Sequence, residues 1–177
     1  MIKKSLFAVL CTLGLAACSG PIHPPLQPVA QVDLPRFMGD WYVIANIPTF
    51  IEKGAHNAVE SYALNPDGTI ATTFRFNKGS FDGPEKVYTP KAWVREGTGN
   101  AVWGMQFVWP IKADYQITYV DPTYQHTIIS REKRDYVWLM ARTPTIPAAD
   151  YDRLVALIAA QGYDISQLQR VPQQGQD

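Results

Sequence analysis

The sequence predicts an all-β fold: eight antiparallel strands closing into an up-and-down barrel, with one α-helix packed outside near the C-terminus. Three observations carry this. After Phe37, apolar and polar residues alternate with a period of two through most of the chain, the pattern of strands with one buried face. Short turn sequences such as Asn65-Pro66-Asp67-Gly68 separate the alternating runs. One late stretch carries a helical period instead. Sequential antiparallel strands of this length can close on themselves, which removes exposed edges and leaves an interior able to hold one small ligand. An open sandwich is the alternative that the pattern alone leaves.

Residues 1–17 begin Met-Ile-Lys-Lys, continue through the apolar run Leu6 to Leu15 and end in small residues. This is the layout of a secretory signal, too short to serve as a permanent membrane span. Leu15-Ala16-Ala17-Cys18 resembles the lipobox of bacterial lipoproteins. The resemblance implies cleavage before Cys18, acylation of that cysteine and attachment to a membrane, since two buried acyl chains hold far more firmly than one. Ser19 in place of an aspartate implies delivery to the outer membrane.

Cleavage leaves about 160 residues, enough for one domain with a real core. Cys11 leaves with the signal and Cys18 is blocked, so no free thiol or disulfide is expected, which excludes cysteine nucleophiles, thiolate metal sites and thiol redox chemistry. Loss of Lys3 and Lys4 shifts the net charge to about −2, and nothing in that balance attracts nucleic acid. Residues 18–33 contain Pro21, Pro24, Pro25 and Pro28 and are expected to form a tether. At about 3.1 Å per residue it could hold the domain some 40 Å from the lipid, with His23 solvated inside it. The domain proper is 34–177.

The strands are expected near 41–48, 57–64, 69–77, 85–95, 101–109, 114–121, 124–131 and 135–142. In the third, Ile70, Thr72, Phe74 and Phe76 share one face, against Thr69, Ala71, Thr73 and Arg75 on the other. Tyr115, Ile117 and Tyr119 alternate with Asp114, Gln116 and Thr118 in the sixth. The eighth is apolar on both faces, Tyr136, Trp138 and Met140 against Val137, Leu139 and Ala141, as expected where something covers the outside of the sheet. The cover is the run from Pro147 to Gly162: proline at the start, Tyr151, Leu154, Leu157 and Ile158 along one stripe, and glycine as the stop.

Gly39-x-Trp41 at the first strand, Asp121 with Tyr124 at the sixth turn, and Arg142-Thr143 after the eighth strand resemble the three signature regions of the lipocalins. The stretch from Met38 to Pro48 and that from Tyr119 to Ile146 are similar to the bacterial, outer-membrane lipoprotein branch of that family. On this resemblance Trp41 points inward and plugs one end of the barrel. Arg142 crosses its ring, a pairing worth on the order of 0.5–2 kcal/mol, and Gly39 gives the chain room to turn beneath, with Leu34 to Met38 closing the floor. Gly39, Trp41, Asp121, Tyr124 and Arg142 are thus structural and not ligand contacts.

If Trp41 and Arg142 point inward, strand parity brings Val43, Ala45, Tyr136 and Trp138 inward with them. The apolar faces of the other strands add Tyr62, Phe74, Phe76, Met105, Phe107 and Tyr115. Any one of these serves core packing equally well. Together they describe a cavity lined by aromatics and suited to an acyl chain. The resemblance implies a fatty acid or lysophospholipid ligand, held for storage or transport in the envelope. Glu60 shares the parity of Tyr62 and is a carboxylate on the expected wall, unless a bulge or register slip turns it to water. Facing inward, it acquires a raised pKa, and its ionised form repels a fatty-acid carboxylate and tilts selectivity toward lysophospholipids.

Other classes find less support. The isomerase among lipocalin relatives uses a cavity cysteine, absent here, and haem-binding relatives use an inward histidine. His56 is expected in the loop before the second strand and His126 on the surface. No metal-ligand spacing and no Ser/His/Asp set is identifiable, so no catalytic residue, metal or cofactor is expected. An envelope scaffold with a filled barrel remains the other reading.

Overall fold

The computed structural model describes residues 23–174. The expected signal 1–17 and the acylation site Cys18 lie outside the described residues. Nine strands make the barrel: β1 Gly39–Ile47, β2 Ala55–Leu64, β3 Ile70–Lys78, β4 Glu85–Tyr88, β5 Lys91–Val94, β6 Val102–Val108, β7 Ile111–Val120, β8 His126–Ser130 and β9 Val137–Ala141. All pairings are antiparallel, in the order β1-β2-β3-β5-β6-β7-β8-β9, and β9 returns to β1 to close the barrel. Both β4 and β5 pair with β3, so they are two halves of the fourth of eight barrel strands. The expected single strand over 85–95 breaks at Thr89-Pro90 because proline has no N–H for the ladder. Its carbonyl still accepts from Thr72 N–H at 3.1 Å.

Two irregularities decide which side chains face inward. The β1–β9 register shifts between Val43 and Ala45, leaving Ile44 as the extra residue of a bulge. Before it, Trp41 and Val43 belong to the interior cluster. After it, Ala45 and Ile47 join the outer cluster beneath the helix, while Asn46 turns inward. Ala45 is therefore not a cavity residue, because the bulge inverts the parity that carried it there. In β2 the register shifts between His56 and Val59, where Asn57 takes φ +50°. Beyond that shift Ala58, Glu60 and Tyr62 face inward. β2 also begins at Ala55, so His56 is a strand residue, set edge-on to Phe81.

Helix α2, Ala148–Ala160, lies across the outside of the barrel. Leu154 and Ile158 are buried with Ile128, Val137, Leu139 and Ala141, which explains why β9 is apolar on both faces. Pro147 precedes the helix and Gly162, at φ +89°, ends it. A second, four-residue helix, α1 Leu34–Phe37, is capped by the Asp33 carboxylate, which accepts from Arg36 N–H at 3.3 Å.

The chain ends are woven into the barrel. A two-residue strand, β10 Gln169–Arg170, pairs with Ala45 and Asn46 of β1. β1 meets β2 only over Gly39–Tyr42. The seam above is filled by this segment, with Val171 N–H donating to Ile44 O and the Gln173 amide donating to Val43 O at 2.8 Å and Ala58 O at 3.0 Å. At the other end, the expected tether lies against the wall over its described part. Val29 N–H donates to Ile117 O, Val32 N–H to Gly99 O, and Leu26 and Val32 are buried.

Candidate functional site

The barrel has a shut end and an open one. At the shut end Trp41 is fully buried and its indole N–H donates to Phe37 O at 2.8 Å. Arg142 lies over its ring with 3.8 Å between the guanidinium carbon and the centroid. The same guanidinium donates to the carbonyls of Arg36, Phe37, Met38 and Asp40 at 2.7–3.1 Å. It thereby satisfies the orphan carbonyls at the end of α1 while covering the tryptophan. Gly39 sits beside it at φ +92°, a backbone conformation that a side chain would strain.

Asp121 organises the turn below. Burial pushes its carboxyl up, but hydrogen bonds from the Thr123 hydroxyl and from the N–H groups of His126, Gln125 and Thr123 hold it below the ordinary range. Tyr124, at φ +58°, accepts from Arg142 through its carbonyl and from Asp33 N–H through its hydroxyl. His126 is half-buried with its Nδ1 3.2 Å from Asp121.

Above the floor opens a cavity of about 280 Å³. Of the residues expected on its wall, Glu60, Phe74, Met105, Phe107, Tyr115, Tyr136 and Trp138 line it. Val43, Tyr62 and Phe76 face the interior but not the cavity: they are packed into the aromatic core around it. Trp103 stands edge-on to both Phe37 and Tyr62 and lies parallel to Tyr115 at 5.0 Å. Phe76 is held against Phe74 and Tyr88. These rings fill the lower barrel, so the cavity is the upper part only.

Three carboxylates line this space, Glu52, Glu60 and Asp114. Glu60 is 8% exposed and accepts from the Tyr62 hydroxyl, which lies 2.7 Å from the Tyr115 hydroxyl. Burial, and then the neighbouring Glu52, push its pKa up to about 8, so at neutral pH it is chiefly the uncharged acid. Burial and Glu60 likewise push the Tyr115 phenol up. The deep wall is therefore neutral and its polar groups satisfy one another. Glu52 belongs to the β1–β2 loop and is folded inward: it accepts from Trp138 Nε1 at 2.6 Å, Thr49 N–H at 2.9 Å and the Asn46 amide at 3.3 Å.

Glu52 was not expected, nor were Thr49, Phe50, Ile51, Ile111, Ala113, Asp114 and Arg131, which complete the wall with Thr72. Thr72 shares the inward parity of Phe74, a usable signal. The loop residues carry only a hint, the pair Phe50-Ile51 in a connection otherwise polar. Among the described residues, no group of three or more His, Cys, Asp or Glu could hold a metal ion, and no helix is long and apolar enough to cross a membrane.

Residues 32–173 match the model of the lipocalin-like domain. The chain is 32% identical over 160 residues to temperature-induced lipocalin-1 of Arabidopsis thaliana, covering 84% of this chain and 83% of the relative. It is 28% identical over 172 residues to the outer membrane lipoprotein Blc of Citrobacter freundii, covering 95% of each, and 28% identical over 165 residues to its counterpart in Escherichia coli K12, covering 91% of each. Among solved structures, insecticyanin from the tobacco hornworm Manduca sexta superposes with a TM-score of 0.66 at 13% identity, over 85% of each chain. Lobster apocrustacyanin A1 gives 0.63 at 10%, over 80% of this chain and 79% of that one.

Proposed function

The chain belongs to the lipocalin family, and from that premise we propose that it is a lipid-binding protein of the cell envelope, anchored to the outer membrane through Cys18, which holds the acyl chain of a fatty acid or lysophospholipid in its cavity. The observation that carries this reading is the cavity itself: one closed end, a wall of Phe74, Met105, Phe107, Tyr115, Tyr136 and Trp138, and a deep carboxyl that is neutral at pH 7. Similarity over most of the chain to an outer membrane lipoprotein supports the location. We read the protein as a carrier, a reading supported by the mainly apolar and aromatic wall of its cavity.

The ligand enters tail first. Carrying a charged head group to the deep wall requires its desolvation with no ionic partner there, since Glu60, Tyr62 and Tyr115 already bond one another. The head group stays at the mouth, near Arg131, Asp114 and Glu52. Glu60 then meets the tail and acts on every acyl ligand alike, whatever its head group, which departs from the selectivity that parity alone suggested.

Titration of delipidated protein with oleate and with lysophosphatidylethanolamine tests this through tryptophan fluorescence, Trp138 being the reporter on the wall. Both ligands give saturable changes at pH 7, and both lose affinity above pH 8, by up to about tenfold per pH unit as Glu60 ionises. Glu60→Gln removes that pH dependence for both. Absence of any saturable change supports the filled-barrel scaffold instead, and an effect on oleate alone places the fatty-acid carboxylate beside Glu60. For the anchor, Cys18→Ala abolishes incorporation of labelled palmitate and releases the protein from membranes; palmitate still incorporated by that variant contradicts the assignment.

A further inference from the structure

We propose that the open end of the barrel docks on a phospholipid bilayer, with Trp109 and Ile111 of the β6–β7 hairpin and Phe50 of the β1–β2 loop seated at the boundary between head groups and acyl chains. Trp109 is 83% exposed, Phe50 79%, Ile111 69% and Phe107 46%. Large apolar side chains on a water-facing surface ordinarily stand singly. Here four cluster at one opening, Phe50, Phe107 and Ile111 on the cavity wall with Trp109 between the last two in the chain, whereas the other exposed large apolar residues among those described, Leu64, Val87 and Ile165, do not line it. Tryptophan with neighbouring aliphatics at the end of a barrel is the composition of an interfacial anchor.

The rim is also continuous with the cavity. Phe50, Phe107 and Ile111 line the wall and extend outward to the exposed surface. With the rim seated in lipid, an acyl chain passes from bilayer to cavity along apolar side chains without crossing water. Exposed Lys53, Lys112 and Lys133 stand around the same end with Glu132 and Asp135, so charge is mixed and the apolar residues carry the contact.

The path of the N-terminal segment supplies an independent argument. The Pro24 carbonyl accepts from the Arg134 guanidinium, and Leu26 N–H donates to the Glu132 carboxylate at 3.3 Å. Both partners belong to the β8–β9 turn, whose Arg131 and Tyr136 border the cavity. From there the segment descends to the floor, where Asp33 N–H donates to the Tyr124 hydroxyl. The chain thus leaves the barrel at the mouth. Five Cα steps from Cys18 to His23 span at most about 18 Å, less than the roughly 30 Å length of a ten-residue strand such as β2. An acyl group on Cys18 therefore turns the mouth, not the floor, toward the bilayer. This argument rests on the proposed acylation; the exposed rim does not.

The mature protein, reconstituted through its own anchor into phosphatidylcholine vesicles with brominated acyl chains, tests the docking. Bromine close to the head groups quenches part of the tryptophan emission, and Trp109→Phe removes that quenched part. Equal quenching in both proteins overturns the proposal. The mass of the Cys18 peptide is read in the same sample: an unmodified Cys18 with Trp109 still quenched sinks the anchor and leaves the docking standing. As a second measurement, Trp109→Asp slows uptake of lysophosphatidylethanolamine from vesicles by about tenfold while leaving the affinity for monomeric lysolipid unchanged. Unchanged uptake overturns the proposal, as does a wild-type dimer that Trp109→Asp converts to monomer, since a second copy then occupies the rim.

Discussion

Replacing Trp41 with alanine lowers the unfolding free energy by about 3–5 kcal/mol, the cost of truncating a fully buried large aromatic. The physical content lies in what the side chain holds. Its ring packs on Phe37 at 5.0 Å, its N–H ties down the last carbonyl of α1, and its face carries Arg142. Truncation leaves a cavity where the floor was and strips one face of the guanidinium that gathers four carbonyls of the Arg36–Asp40 segment. Urea denaturation followed by circular dichroism measures the loss. A midpoint and slope matching wild type would mean that the floor does not depend on this side chain.

The wild-type protein loses on the order of 4 kcal/mol of stability between pH 5 and pH 8 from Glu60 alone. The folded state keeps this carboxyl protonated up to about pH 8, whereas the unfolded chain releases the proton in the ordinary glutamate range. Between those two values the folded state binds more protons, so stability falls as pH rises, and the fall levels off once Glu60 ionises in the folded state too. Glu60→Gln removes this contribution while keeping the shape. Comparing the two proteins by urea unfolding at pH 5 and pH 8 isolates it, because every other titrating group is common to both. The stability gap should widen in favour of the variant by several kcal/mol at pH 8. A gap that stays constant would show that Glu60 reaches water.

Much of this architecture was legible in the residues. Period-two alternation marked the barrel strands, the two apolar faces of β9 announced the helix that covers it, and Pro147 and Gly162 bounded that helix. The Gly39, Trp41 and Arg142 constellation was readable through the resemblance of these residues to the lipocalin signature regions. Parity failed where the ladder is irregular. Ala45 turns outward because Ile44 is an extra residue in β1, and nothing local in Val-Ile-Ala-Asn distinguishes a bulge from a regular strand.

Glu52 reaches the cavity from a loop, where alternation says nothing about direction. Its inward fold depends on Trp138, far away in sequence, as hydrogen-bond partner. Val43, Tyr62 and Phe76 were rightly inward yet not on the wall, since periodicity gives the face of a strand but not the height at which rings from several strands meet and fill the space. The seam closed by Val171 and Gln173 was equally invisible: two strands that diverge leave no mark in either sequence.

The central claim is that the cavity carries an acyl lipid. Protein purified from its own membranes without delipidation, extracted with organic solvent and analysed by mass spectrometry, tests it most directly. About one fatty acid or lysophospholipid per cavity is expected, additional to any lipid attached at the proposed anchor Cys18. Extracts free of such lipid, from protein that also takes up none when mixed with oleate or lysophosphatidylethanolamine, would contradict it.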